Sequence, residues 1–392
     1  MDRKKIKIVR IINRFNLGGP TYNATFLTRF LSDEFETILV GGVHDLGEKD
    51  SLHILEAYGV TPIIIPEMKR SPNVLQDRKA YKKIKEIIRV EQPDIVHTHA
   101  SKAGFLGRRA AFACGVKNVV HTFHGHVFHS YFGNLKTKLI KQLERNLAKR
   151  STGIIAISKL QKEELVNEHK ITTAEKTTVI PLGFDLKKFT INKEKSRMEV
   201  RTKYGIKDDE VAIAIVGRLA PVKAHDYFLN VIKRLIEKTS KKVKVFIVGD
   251  GEMYESVKSE VDLINKNHPQ FITMTSWILD IAHFNHGMDL ICLTSKNEGT
   301  PVSLIEAQAA GIPVVSTDVG GVRDIVEDGV SGYVIKKEDI ETYVKKLRLL
   351  VENDEDRLIF GKNAVNNVLD KFSYDRLVQD MEQYYKKILG RK

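Results

Sequence analysis

Cysteine is nearly absent: Cys114 and Cys292 are the two among 392 residues. Both lie in apolar stretches, so a reducing, cytoplasmic setting is expected and a disulfide framework is not. No apolar run approaches the ~20 residues that cross a bilayer, which argues against a transmembrane protein. The opening Met1-Asp2-Arg3-Lys4-Lys5-Ile6 lacks the long apolar core of a secretory signal. Low-complexity segments and internal sequence repeats are missing too. Aromatic residues reach only 8%, the cations are dispersed, and no recognised nucleic-acid module occurs, so a nucleic-acid partner is not expected. Neither the Walker pattern nor the dinucleotide fingerprint is found, against an NTPase or a nicotinamide enzyme.

What remains is the balance of a folded protein, with 42% hydrophobic and 29% charged residues. At about 100–200 residues per domain, this length favours two domains. The formal charge of +13 would suit nucleic acid, anionic lipid or phosphorylated small molecules. Short Val- and Ile-rich runs such as Ile6–Ile12, Asp94–Thr98, Val119–Phe123 and Val211–Val216 alternate with longer amphipathic stretches. Runs that are apolar on both faces suit buried parallel strands, and strand–helix alternation implies parallel sheets covered by helices. The pattern restarts after Pro181-Leu182-Gly183-Phe184-Asp185. An α/β architecture of two doubly wound, Rossmann-like domains facing one cleft follows. The first domain is expected over 1–185, a polar linker over 186–209 and the second domain over 210–373, with a helix at about 374–392 packing back on the first.

Ligands of doubly wound sheets bind outside the C-terminal ends of the strands, so the loops there are where chemistry is sought. After the first strand, Gly18-Gly19 lets the backbone turn tightly beside a helix start, which forms an anion cradle or an ordinary turn. After Val211–Val216, Gly217-Arg218-Leu219-Ala220-Pro221-Val222-Lys223 sets a planar guanidinium and an ammonium five positions apart, able to hold a diphosphate from two sides. After Asp289–Leu293 runs Ser295-Lys296-Asn297-Glu298-Gly299-Thr300-Pro301-Val302-Ser303-Leu304-Ile305-Glu306. Thr300 reads as a helix N-cap and Pro301 as the first helical residue. Glu298 before that helix and Glu306 within it reach different parts of one extended ligand, and carboxylates accept hydroxyl hydrogen bonds well.

Histidines cluster at strand ends, in His97-Thr98-His99 and His121-Thr122-Phe123-His124-Gly125-His126, with His129 close behind. Such spacing could begin a zinc site, but no cysteine or carboxylate completes a familiar set. A polar lining of the cleft is expected instead, with His124 foremost. Asp354-Glu355-Asp356 reads as a solvated helix start. Segment Asn134–Arg150 carries Lys136, Lys138, Lys141, Arg145, Lys149 and Arg150 around Leu135, Leu139, Ile140, Leu143 and Leu147. It fits a solvated face over a core stripe or a basic amphipathic helix lying on anionic lipid.

Glu298 and Glu306 with seven residues between them, together with Arg218 and Lys223, resemble the signature of retaining glycosyltransferases of family 4, in the GT-B fold. Gly18-Gly19, Thr122-Phe123-His124, Gly311-Ile312-Pro313-Val314-Val315, Gly320-Gly321 and Asp328-Gly329-Val330-Ser331-Gly332 fit the same pattern, so the resemblance spans the chain. Ala224, where the family usually has Gly, and Asp324, where it often has Glu, depart from it. The resemblance implies a nucleotide-sugar donor, UDP-linked by preference, and transfer of a hexose-type sugar to a glycan or lipid-linked acceptor in surface-polysaccharide assembly. It implies no metal and no cofactor, and a place in the cytoplasm or at the inner face of the membrane. Carried across by position, Arg218 and Lys223 bind the diphosphate, Gly18 and Gly19 close on it, and Gly217 belongs to the same donor site. The amides of Gly299, Thr300, Pro301, Val302 and Ser303, where they have one, approach the sugar and phosphates. Glu306 takes the ribose and Glu298 the transferred sugar; Trp277, or its backbone, is expected near the base. The implied catalytic set is His124, Glu298, Arg218 and Lys223. A sugar-nucleotide epimerase of the same architecture is the alternative enzyme, and a non-catalytic nucleotide-sugar- or nucleic-acid-binding protein the alternative binder.

Overall fold

The computed structural model describes residues 5–16, 19–44, 51–69, 71–124 and 134–391, with backbone only for 134–136. The chain divides into two compact units. One runs to Phe184 and takes in Phe372 onward; the other spans Asp185–Lys371.

The first unit contains strands β1 (Ile6–Phe15), β2 (Phe35–Val43), β3 (Ile63–Ile64), β4 (Ile95–His99), β5 (Asn118–Phe123), β6 (Gly153–Ala156) and β7 (Thr177–Val179). Among the described residues they form a seven-stranded parallel sheet, ordered β3-β2-β1-β4-β5-β6-β7. Helices α1 (Gly19–Arg29), α2 (Leu52–Ala57), α3 (Val74–Glu91), α4 (Ser101–Ala113), α5 (Asn134–Arg150) and α6 (Lys159–Glu163) connect them. Strand alternation sorts the buried residues of β1 onto two faces. Val9 and Ile11 pack with Ile84, Val96, Ala103 and Leu106. Ile6 and Ile8 pack on the other side with Leu27, Ile95 and Val120. Helix α3 starts where the Asn73 side chain accepts from the Gln76 amide at 3.0 Å and stops at Gln92 in the left-handed region (φ 45°).

The second unit contains β8 (Glu210–Val216), β9 (Lys242–Val248), β10 (Ile272–Thr275), β11 (Leu290–Leu293), β12 (Val314–Thr317) and β13 (Gly332–Ile335). Among the described residues these form a six-stranded parallel sheet, ordered β10-β9-β8-β11-β12-β13. Its helices are α7 (Lys193–Tyr204), α8 (His225–Ile236), α9 (Tyr254–Asn267), α10 (Ile281–His286), α11 (Val302–Ala309), α12 (Val322–Ile325), α13 (Ile340–Glu352) and α14 (Asp354–Phe372). One apolar core, from Val211 and Phe228 to Tyr343 and Leu347, lies against the sheet.

The stretch 186–209, expected as a linker, belongs instead to this second unit. Its polarity is that of an anchored helix rather than a solvated tether. Arg197 Nη2 and Arg201 Nη1 of α7 grip the two oxygens of Asp289 at 2.7 and 3.1 Å, and the Ala212 amide reaches the same carboxylate at 2.7 Å. Arg201 also donates to the carbonyls of Lys207 and Glu210.

After α14 the chain returns to the first unit as α15 (Tyr374–Ile388). Phe184 exchanges backbone hydrogen bonds with Phe372 and Tyr374 at 2.8 and 3.0 Å, and Arg376 caps the carbonyls of Pro181 and Leu182. Leu377, Met381 and Tyr385, one turn apart, are buried against Ile6, Ile8, Ile95 and Val120. Each such burial stabilises by about 1.5–3 kcal/mol, so α15 is a structural part of the first sheet's cover. Among the described residues no helix is long and apolar enough to cross a membrane.

Candidate functional site

The second sheet's strand order reverses between β8 and β11. Neighbouring strands whose connections leave in opposite directions open a crevice at their C-terminal ends. The two loops beside that crevice are Gly217–Ala224 and Thr294–Pro301, and neighbouring backbone holds both.

Gly217 donates to the Val248 carbonyl at 2.9 Å, and Leu219 exchanges bonds with Asp250 and Met253 at 2.9 Å each. The following loop can lie this close because Gly249 sits at φ +143° with its missing Cβ 2.0 Å from the Gly217 carbonyl oxygen. A 3-10 turn at Pro221–Lys223 and Ala224 at φ 49° then lead into α8. Buried Thr294 reaches the carbonyls of Lys223 and Ala224 at 3.1 Å, and the Lys296 amide donates to Val222 at 2.7 Å. With both loops tied, Lys223 Nζ rests 2.6 Å from Glu298 Oε1, and the Ser295 hydroxyl donates to the same oxygen at 2.5 Å. The side chains of Lys223 and Glu298 are 22% and 10% exposed, so the pair is largely shielded from solvent. Oε2 of Glu298 has no partner among the described residues. Arg218 is exposed and likewise unpaired among them.

The Glu298–Gly299 peptide is backed by Gly320-Gly321. Gly321 donates to the Gly299 carbonyl at 3.1 Å, and a Cβ on Gly320 would stand 1.6 Å from the Glu298 carbonyl oxygen. Gly299 itself faces open space. Helix α11 begins one residue later than expected: Pro301 is the N-cap, at φ −71° and ψ 93°, and Val302 the first helical residue. Proline constrains φ, not ψ, so it can end a loop as readily as open a helix. The amides of Val302 and Ser303 stand in the first turn, where N–H groups lack intrahelical acceptors. Glu306 lies one turn further in. Burial, weakly opposed by Lys188, pushes its carboxyl up to about 7. Trp277 follows β10 and is 40% exposed. The two tied loops thus bring Lys223 to Glu298, with Arg218 on the first loop and the helix-start amides and Glu306 following the second, a set suited to an anionic group with hydroxyls on either side.

In the first unit, Gly19 opens α1; Gly18, His126 and His129 lie outside the described residues. The expected polar lining by histidines is corrected for three of them, while His124 is partly exposed. His97, His99 and His121 are completely buried, because covering helices close both faces of β4 and β5. On the α15 side, the apolar rows of β1, β4 and β5 end in Arg10, His97 and Thr122, then in His99 and His124. Arg10 Nη1 lies 3.2 Å from His97 Nδ1, 3.4 Å from His99 Nε2 and 3.2 Å from the Tyr385 hydroxyl. His97 joins Tyr385 at 2.6 Å and Thr122 at 2.8 Å, and His99 Nδ1 meets His124 Nε2 at 2.9 Å. Burial takes the His124 imidazole down to about 4. Sequence reasoning missed Arg10 and Tyr385. Arg10, flanked in sequence by Val9 and Ile11 and on the face that carries Ile6 and Ile8, was a readable signal; Tyr385, one of several apolar-spaced residues of α15, carried none. Asp354 opens α14 and pairs with Arg357 and Lys241 at 2.5 and 3.4 Å. The α5 helix occupies Asn134–Arg150, as its spacing suggested.

Residues 18–188 match the family described as Glycosyltransferase Family 4, and residues 196–367 that described as Glycosyl transferases group 1. Over 329 residues the chain is 32% identical to the UDP-Gal:alpha-D-GlcNAc-diphosphoundecaprenol alpha-1,3-galactosyltransferase of Escherichia coli, covering 83% of this chain and 84% of that one. Over 331 residues it is 27% identical to the capsular polysaccharide biosynthesis glycosyltransferase CapM of Staphylococcus aureus, covering 83% and 85%. Among solved structures, Anabaena HepE in complex with UDP matches with a TM-score of 0.81 at 18% identity, over 97% of this chain and 100% of that one.

Proposed function

The chain belongs to glycosyltransferase family 4, and from that membership we propose that it moves a hexose from a UDP-sugar to a hydroxyl of a glycan or lipid-linked acceptor in surface-polysaccharide assembly. The names of its relatives support this: one uses UDP-Gal and a diphosphoundecaprenol-linked sugar, another serves capsular polysaccharide biosynthesis. The observation that carries it is the Lys223–Glu298 contact beside Arg218, where β8 and β11 part.

In this proposal Arg218, Lys223 and the amides of Gly299, Thr300, Val302 and Ser303 hold the diphosphate, with Gly217 turning the first loop toward it, Pro301 shaping the second and Gly18-Gly19 serving the same group. Glu306 accepts from the ribose hydroxyls, Glu298 Oε2 from a hydroxyl of the transferred sugar, and Trp277 lies against the base. The acceptor oxygen bonds to the anomeric carbon, the bond from that carbon to the diphosphate breaks, and the acceptor proton goes to the departing phosphate. Attack and departure share one face, so configuration is retained. The cations and amides offset charge developing on the leaving group, so no metal and no cofactor is required. His124 is assigned to the transferred sugar.

The first test is thermal unfolding with UDP, GDP and ADP, each at saturation. UDP is expected to stabilise by about 2–3 kcal/mol at a hundredfold excess over Kd, the others much less. Preference for GDP or ADP, or no response at all, overturns the donor assignment. Turnover in excess chelator, with the product's anomeric configuration read by NMR, decides metal independence and retention.

A peripheral contact with anionic membrane belongs to the same proposal. Much of α5 is committed inward: Arg145 donates to the carbonyls of His169 and Lys170, Arg150 stacks over Phe112, and Glu144 pairs with buried Arg108. Leu139 and Leu143 remain 61% and 40% exposed beside Lys138. Vesicles rich in anionic lipid are expected to float the protein at low salt, and Leu139→Ser/Leu143→Ser to abolish this. Equal flotation of both forms, or none of either, removes the membrane from the proposal.

A further inference from the structure

The buried histidines of the first unit form a directional chain, and its direction is set by a cation. Guanidinium has donors and no acceptor. Every ring nitrogen that faces Arg10 must therefore present a lone pair, since an N–H there would set donor against donor. His97 Nδ1 and His99 Nε2 both face Arg10 Nη1, at 3.2 and 3.4 Å. The Tyr385 hydroxyl accepts from Arg10 and donates to His97 Nδ1 at 2.6 Å, which leaves the His97 proton on Nε2, donated to Thr122 at 2.8 Å. His99, accepting at Nε2, carries its proton on Nδ1 and donates it to His124 Nε2 at 2.9 Å. His124, accepting at Nε2, must hold its own proton on Nδ1. That nitrogen is buried and has no hydrogen-bond partner among the described residues.

We propose that Arg10 and His99 are positioning residues that hold His124 in the tautomer protonated on Nδ1, so that it donates to an oxygen of the bound sugar. The proposal rests on the assignment of His124 to the transferred sugar. An unpartnered buried N–H is costly, and a substrate oxygen would relieve that cost on binding. Desolvation and the Arg10 charge both hold the His97 and His99 imidazoles well below their usual range, so neither takes a second proton near neutrality and the relay keeps its direction. His124 therefore orients the sugar rather than removing a proton from the acceptor.

Tautomers can be read directly in the full-length protein. In long-range 1H–15N spectra of histidine-labelled protein near pH 7.5, with His124 assigned by loss of its signals in His124→Gln, Nδ1 is expected to be the protonated nitrogen. Arg10→Met removes the donor and is expected to release His124 into a mixture of tautomers; Arg10→Lys, again a donor-only cation, restores the Nδ1 form. Tyr385→Phe leaves the Arg10–His99 contact and keeps it. Arg10→Met should lower kcat/KM about tenfold, the scale of one hydrogen bond to substrate, with no further loss when combined with His124→Gln. A wild-type His124 protonated on Nε2 overturns the proposal without any variant having to fold, as does an unchanged tautomer in a folded Arg10→Met protein. If the tautomer is as expected but the His124 signals do not respond to donor sugar, the relay stands and the assignment of His124 to the sugar fails.

Discussion

Lys223→Met is expected to lower kcat by roughly 100- to 1000-fold, the range seen when one preorganised group facing developing charge is removed. Two facts make Lys223 the cation to change. Its ammonium is 2.6 Å from Glu298, so the position of the charge is held before any donor arrives, whereas Arg218 is exposed and unpaired among the described residues. Its backbone carbonyl is gripped by Thr294, and its stem lies 3.5 Å from where a Cβ on Gly217 would stand. Methionine keeps that packing and removes the charge alone. Glu298 would lose one partner and keep the Ser295 hydroxyl. The stability cost should then be about 1–2 kcal/mol, a Tm drop of a few degrees for a domain of this size. Turnover and melting are both needed: kcat within threefold of wild type in a folded protein would end the assignment of Lys223 to the leaving group.

The second large effect falls on a residue that touches no substrate. Gly320→Ala is expected to destabilise the second unit by about 3 kcal/mol or more and to impair donor binding together with it. At φ +53° an L-residue already incurs roughly 1 kcal/mol. The larger cost is the Cβ position 1.6 Å from the Glu298 carbonyl oxygen, which backbone movement alone can relieve. The peptide that moves carries Glu298 and leads to Gly299. Gly329→Ala is the matched control, since Gly329 has φ +76° but nothing within 4 Å of its Cβ. Denaturant melts of the two variants separate clash from backbone preference. Equal losses would show that the contact with Glu298 does not bear on stability.

The loops at the ends of β8 and β11 were readable because their parts are local. A glycine and two cations after a Val/Ile-rich strand, or Glu298-Gly299-Thr300-Pro301 before a helix, declare their place through turn chemistry and strand period. Where reading went astray, a local pattern had two physical meanings. Polar 186–209 resembles a tether, yet Arg197 and Arg201 use that polarity on Asp289, far along the chain. Alternating His97 and His99 resemble a wet lining, yet helices cover both faces of their strand and bury them. Pro301 fits a helix start, and its ψ of 93° makes it the residue before one.

By itself, then, the sequence determined the alternation of strand and helix, the division into two α/β units and the chemical character of each loop, because these depend on side-chain period and backbone preference over a few residues. Which loops meet was a matter for the tertiary structure alone. Lys223 joins Glu298 across 75 positions because β8 pairs with β11 rather than with β9 alone. Arg10 meets Tyr385 across 375 positions because α15 returns to cover the first sheet. Contacts of that span follow from strand order and from which apolar face finds a partner, and no local pattern carries either.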